Sequence, residues 1–152
     1  MPSVEEFIYV EAPPEAVYRL VADLAQHARF LPSNARYVRA LTPVTDRPGA
    51  RIAVKIKLVG PFWQEGVVQL HALEPPRCVI EGPPDAANFM TRWTLVPEPP
   101  GTVVVVHTDF VPPSGGLGSM VGGRLETTMS RAYRESLARL KAVVEAQAPP
   151  RR

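Results

Sequence analysis

Apolar and polar positions alternate most cleanly over residues 51–59, where Ile52, Val54, Ile56 and Leu58 interleave with Arg51, Ala53, Lys55 and Lys57. A period of two with one apolar and one charged face predicts a strand of an antiparallel sheet. Similar segments at 3–11, 35–42, 62–73, 77–82, 87–96 and 102–111 are joined by turns such as Glu98-Pro99-Pro100-Gly101. Short turns between successive strands favour a meander over crossovers. Between the first two strands, Pro13-Pro14-Glu15 opens a helix: proline suits the first turn, and Glu15 suits its positive end. Val17, Leu20, Val21 and Leu24 continue it at helical spacing, and a second short helix over Gln26 to Leu31 stops at Pro32.

Beyond Pro112-Pro113 the period lengthens. Val121, Leu125, Thr128, Met129, Ala132, Ser136, Leu137, Leu140 and Val144 recur every three or four residues, with Arg131, Arg134, Glu135, Arg139 and Lys141 off that stripe. This predicts a long amphipathic helix, with Glu135 and Arg139 as an i,i+4 pair. The order is strand, two short helices, six strands, long helix. Two short helices cannot cover the apolar face of such a sheet, so the long helix must lie across it. The fold class is therefore α+β, with a curved antiparallel sheet of about seven strands around the C-terminal helix. A sheet curved around a helix tends to enclose a cavity.

Composition narrows the picture without changing it. The chain has 152 residues, 45% hydrophobic and 21% charged, a size and mixture suited to one domain. The 18 prolines cluster between the periodic segments, where a missing N–H costs least. Residues 1–148 form the expected domain, and 149–152, ending in Arg151-Arg152, read as a tail. The net charge of +2 is scattered, which argues against a nucleic-acid partner. The single cysteine, Cys78, excludes an internal disulfide and a thiolate zinc cluster, and reads as a small apolar strand residue. Met1 to Val10 lacks a basic leader and no apolar run nears the ~20 residues of a membrane span, so a soluble cytoplasmic protein is expected.

Candidate binding positions follow from choosing, on each strand, the alternation set with fewer charges. On 62–72 that set holds Phe62 and Gln64 with Val68 and Leu70. On 87–96 it holds Phe89, Thr91 and Trp93 with Leu95, and on 102–111 Thr108 and Phe110 with Val104 and Val106. Ile56 joins them from the third strand. Aromatic walls with sparse polar groups suit a small-molecule pocket as well as a solid core. Thr91, Thr108, Gln64 and Thr128 would orient a ligand, or would bond to backbone and water. Trp63 falls on the more charged face, with two roles open: the cavity rim, or a patch for a homodimer.

Other motifs argue mostly by exclusion. His107 and Asp109 share one strand face, and a solvated pair on the outer face is the expected reading. No third ligand stands at metal-binding spacing. The glycine-rich run from Ser114 to Gly123 fits neither phosphate-loop spacing and lacks a following βαβ unit. It reads as a flexible lead into the long helix that, with Met120, gates the cavity mouth. Arg124, just inside, would meet an anionic ligand group or, as is more common for arginine, lie at the surface. There is no Gly-x-Ser-x-Gly elbow and no pair of inward carboxylates, so no catalytic residue is assigned and no cofactor or metal is expected.

One stretch carries a family likeness: Ala12-Pro13-Pro14-Glu15-Ala16-Val17-Tyr18, then Val21-Ala22-Asp23 and Phe30-Leu31-Pro32. Glu74-Pro75-Pro76-Arg77, Trp93-Thr94-Leu95 and Gly101-Thr102 come after it in order. From Val4 to Ala146 the chain resembles the helix-grip superfamily of START lipid-transfer domains, birch-pollen-allergen-like proteins and polyketide cyclase/dehydrases. Leu20-Val21-Ala22-Asp23, Arg29-Phe30-Leu31-Pro32 and Glu81-Gly82-Pro83 are similar to its coenzyme-Q-binding branch, although Pro84 stands where that branch tends to have an aromatic. The resemblance implies a single helix-grip domain holding a hydrophobic ligand (lipid, quinone or polyketide-like), and Phe30, Met120 and Met129 join the candidate binding positions. Two functions compete. A carrier needs only the pocket, whereas a cyclase or dehydratase needs an acid or base inside it. An inner face of mostly Thr and Gln favours the carrier. A third reading, a stress-related or toxin-like partner-binding protein, would use an exposed Trp63 patch.

Overall fold

The computed structural model describes residues 2–57, 60–85, 88–111 and 118–147, with side chains in the C-terminal helix described from Arg124 onward. The chain runs β1 (Ser3–Val10), α1 (Pro14–Val21), a 3₁₀ helix (Leu24–Arg29), β2 (Ala35–Ala40), β3 (Arg51–Ile56), β4 (Gln64–Glu74), β5 (Cys78–Gly82), β6 (Phe89–Glu98), β7 (Gly101–Phe110) and α2 (Gly118–Gln147). The strands form one antiparallel sheet in the order β1-β7-β6-β5-β4-β3-β2. The meander therefore holds from β2 to β7, and β1 closes onto β7. The outer strands are β1 and β2, consecutive in the chain, and the helical segment between them spans the sheet from one edge to the other.

Local chemistry sets these elements. Pro13 is extended at the N-cap of α1, Pro14 occupies its first turn with Glu15, and the helix buries Val17, Leu20 and Val21. Asp23 caps the 3₁₀ helix through the Ala25 N–H, 3.1 Å away, and also accepts from the Thr45 hydroxyl, which ties down the β2–β3 connection. At the β6–β7 hairpin, a Cβ on Gly101 would lie 2.2 Å from the Val10 carbonyl oxygen, so only glycine lets β1 approach there. Irregular pairing between Leu70 and Ala72 shifts the inward parity of β4: Leu70 opposes Glu81, whereas Leu73 opposes Val79.

The helix α2 lies over the sheet and is tied on both flanks. On the β1 side, Glu6 accepts from Ser130 and Arg134, and Lys141 donates to the Tyr9 carbonyl at 3.0 Å. On the other, Glu135 accepts from the backbone N–H of Ser33 at 2.9 Å and its hydroxyl at 3.1 Å, and Arg139 donates to the Leu31 carbonyl. The main core fills the space near one end, where Leu137, Leu140 and Val144 meet Val10, Val17, Leu95 and Val104. The predicted strand ends differ from those observed: β3 stops at Ile56 with Leu58 outside the described residues, and β4 begins at Gln64, leaving Phe62 in the connection.

Candidate functional site

Where the core ends, a half-enclosed cavity of about 380 Å³ opens between α2 and the sheet. Its floor is β3 to β6, through Val54, Ile56, Gly66, Val68, Phe89 and Trp93. Its roof is α2, through Met129, Ala132, Tyr133 and Ser136. The end wall is built by His27 of the 3₁₀ helix, by Phe30 at its C-cap, and by Leu31 and Pro32 just beyond. The room has a local cause. Ala132 and Ser136 are short, and a Cβ built on Gly66 meets nothing within 4 Å.

Two polar groupings interrupt this apolar lining. In the first, Glu81 stands on the inner face of β5 directly opposite Thr91, and its Oε1 accepts from the Trp93 indole N–H at 3.0 Å. Its Oε2 is buried and receives no hydrogen bond. His27 Nδ1 stands 3.5 Å from that oxygen, too far for an N–H···O bond. His27 Nε2 lies 2.7 Å from the Val21 carbonyl, which can only accept, so Nε2 carries the proton. Phe30 and Trp93 pack against the imidazole, with ring centres 4.8 and 6.1 Å from it.

In the second, the hydroxyls of Thr91 and Thr108 are 2.8 Å apart, and Tyr133 bonds to Thr108 and lies 3.5 Å from Thr91. Burial raises the Tyr133 phenol above its ordinary range; bonds to Thr108 and Thr91 partly offset this, and the Glu81 charge adds to it. Tyr133 therefore keeps its proton at physiological pH.

Phe30, Ile56, Phe89, Thr91, Trp93 and Met129 lie together on the cavity wall. Others lie elsewhere. Phe62 is 76% exposed because it precedes the strand, and Gln64, paired with Ile56, is exposed at the first position of β4. Thr108 is fully buried and reaches the wall only through Thr91 and Tyr133, while Phe110 packs with Val4 in a satellite cluster. Arg124 is exposed on α2, and Thr128 is half-buried away from the lining. Of the glycine-rich run from Ser114 to Gly123, residues 114–117 and the Met120 side chain lie outside the described residues, whereas the backbone from Gly118 to Gly123 is helical and forms the start of α2 rather than a separate lead.

Trp63 is half-buried, with the Arg36 guanidinium 4.2 Å and the Lys57 ammonium 5.1 Å from its ring centre, a cation–π arrangement outside the cavity wall. His107 bridges Glu5 and Asp109 at 2.9 and 3.0 Å on the outer face. Burial pushes the Cys78 thiol up; Arg92 opposes this and Glu74 adds to it. A poor nucleophile results. Among the described residues, no group of three His, Cys, Asp or Glu is placed to hold a metal ion, and no helix is long and apolar enough to cross a membrane.

Sequence reasoning missed His27, Glu81 and Tyr133, although each left a signal. Leu24, His27 and Phe30 recur every three residues, the period of a 3₁₀ helix. Glu81 shares parity with the apolar Val79, and its charge alone argued for the outside. Tyr133 falls four residues from both Met129 and Leu137, on the stripe of α2. These residues weaken the argument from an inner face of mostly Thr and Gln, since a carboxylate and an imidazole stand in the cavity.

No curated protein matches the chain in sequence. Among solved structures it is similar to the KanY protein (ms6282), with 20% identity, a TM-score of 0.79, and coverage of 95% of this chain and 97% of that one. It is likewise similar to TTHA0849 from Thermus thermophilus, with 22% identity, a TM-score of 0.76, and coverage of 97% and 100%. The Zhui aromatase/cyclase from Streptomyces sp. R1128 shares 16% identity, with a TM-score of 0.73 and coverage of 96% and 94%. At these identities the likeness shows the shared helix-grip fold. The family model described as polyketide cyclase / dehydrase and lipid transport matches residues 1–145, and the chain belongs to that family.

Proposed function

We propose that this protein binds an apolar small molecule in the cavity between α2 and the sheet. The carrying observation is the cavity itself: about 380 Å³ between α2 and the sheet, bounded mainly by Val, Ile, Phe, Trp and Met side chains. Protein interiors normally leave few voids larger than a water molecule, so a hollow of this size has a use. Lipid, quinone and polyketide-like molecules are the ligand classes that the family likeness brings forward. Native mass spectrometry of the purified chain tests the reading, with Gly66→Val as control. The wild type retains an added or co-purified apolar ligand, whereas the variant, with side-chain atoms in that space, does not. Equal retention by both would contradict it.

A second reading, cyclase or dehydratase chemistry on a bound polyketide-like substrate, is favoured by one observation. Glu81 places a carboxylate in the cavity with His27 beside it, and removing a proton next to a bound carbonyl needs such a base. Turnover of a poly-β-ketone substrate by wild type, lost in Glu81→Gln with binding retained, would favour this reading over carriage.

A further inference from the structure

We infer that Glu81 selects for ligands whose polar end is a neutral hydroxyl, and against ligands ending in a carboxylate or in an acceptor alone. The inference rests on the cavity being the ligand site and assigns the chemistry at its polar pole.

Hydrogen-bond bookkeeping leads there. A carboxylate offers roughly four lone-pair sites, and Glu81 has one hydrogen bond, from Trp93 to Oε1. Oε2 is shielded by the protein and unbonded, although Glu81 lines the cavity. His27 cannot fill the gap by turning: its Nε2–H is held by the Val21 carbonyl, and Nδ1 remains 3.5 Å from Oε2. The hydroxyls of Thr91, Thr108 and Tyr133 stand within hydrogen-bond reach of one another, so their protons have partners within the protein. With its one proton on Nε2, neutral His27 donates nothing to Glu81, so the donor that the carboxylate lacks comes from the ligand.

Charge sets the second half of the selection. Among the described lining residues there is no lysine or arginine, and the one group able to carry positive charge, His27, already faces Glu81 at 3.5 Å. A ligand carboxylate would be desolvated beside Glu81 with no cation dedicated to it, and an ether or ketone would set lone pair against lone pair. A phenol, enol or alcohol donates to the Glu81 carboxylate where it faces the cavity, through a charge-assisted bond, and leaves its apolar body to the aromatic and aliphatic walls.

Calorimetric titration of the purified chain with 1-naphthol, 1-methoxynaphthalene and 1-naphthoate tests this directly. Wild type should bind the naphthol about ten- to a hundredfold tighter than its methyl ether, the range for a hydrogen bond to a charged group. The naphthoate should bind weakest. In Glu81→Gln the naphthol preference should shrink and naphthoate binding should improve, with the ether unchanged. Equal affinities for naphthol and ether, or tightest binding by the naphthoate, overturns the inference while leaving the apolar cavity standing. That ranking needs only the wild type, so it holds even where the variant folds poorly. Failure of all three to bind, the ether included, overturns the cavity reading as well.

Discussion

The stretch of α2 from Leu137 to Val144 and the stretch from Met129 to Ser136 cross the same sheet, yet only the second leaves space beneath it. Leu137, Leu140 and Val144 are almost fully buried in the core cluster they share with Val10, Val17, Leu95 and Val104, and a second hollow, of about 300 Å³, lies between the end of α2 and α1 rather than over the sheet. One to two turns earlier the inward positions are Ala132, Tyr133 and Ser136, opposite Gly66 and the short β3. Side-chain volume accounts for the difference. The helix stays in place over the cavity because it is tied at its flanks, by Glu6 on one side and Glu135 on the other. Stability and binding are thereby assigned to different turns of one helix.

Truncation at the packed end should have the largest effect. Leu140→Ala removes a fully buried side chain and should cost about 2–5 kcal/mol in denaturant unfolding, whereas Ile56→Ala on the cavity wall should cost about 1 kcal/mol. Similar losses at both sites would show that the cavity end carries as much packing as the other. Thr108→Val, at the border between the two regions, deprives Tyr133 and Thr91 of a shared partner and should cost about 1–3 kcal/mol.

Filling the hollow should act in the opposite sense. Gly66→Val places a β-branched residue in an open strand position and should stabilise the fold by about 0.5–1 kcal/mol while removing ligand binding. A destabilised variant would mean that the space is smaller than described.

The smallest effects are in pH dependence, and both lie outside the cavity. Glu6 is held below its ordinary 4.5, first by the Ser130 hydrogen bond, against burial, and then by Arg134. Its contribution is present above that ordinary value and is lost as pH falls through the lower folded one. His107 has the opposite sign: burial lowers it, but hydrogen bonds and charge from Asp109 and Glu5 leave it above 6.5. Its contribution is full below 6.5 and fades as pH rises through the folded value, so His107→Gln should flatten that part of the stability profile. Urea melts from about pH 2 to pH 8 would resolve both.

The fold was readable because period and punctuation agreed. The alternation from Ile52 to Ile56, the proline-bounded intervals and the three- and four-residue spacing after Pro113 each allow few structures. The cavity was half readable. Phe89, Thr91 and Trp93 follow from strand parity, but parity cannot say where a strand starts, which misplaced Phe62, nor how far along a strand the covered region reaches, which misplaced Gln64. Nor can a charge count place Glu81, whose inward position depends on cross-strand pairing with Thr91 and on the indole of Trp93. The emptiness itself depends on what is missing at Gly66 and Ala132, and residues separated by dozens of positions reveal a shared gap only once folded.

The most direct measurement is isotope-edited NMR of the labelled chain with bound 1-methoxynaphthalene, reading NOEs from the ligand to side-chain protons. The account predicts contacts confined to residues such as Val54, Ile56, Val68, Met129 and Trp93, with none to Leu140 or Val144. Contacts centred instead on the exposed Phe7 and Phe62, with the inner-face methyls silent, would contradict it.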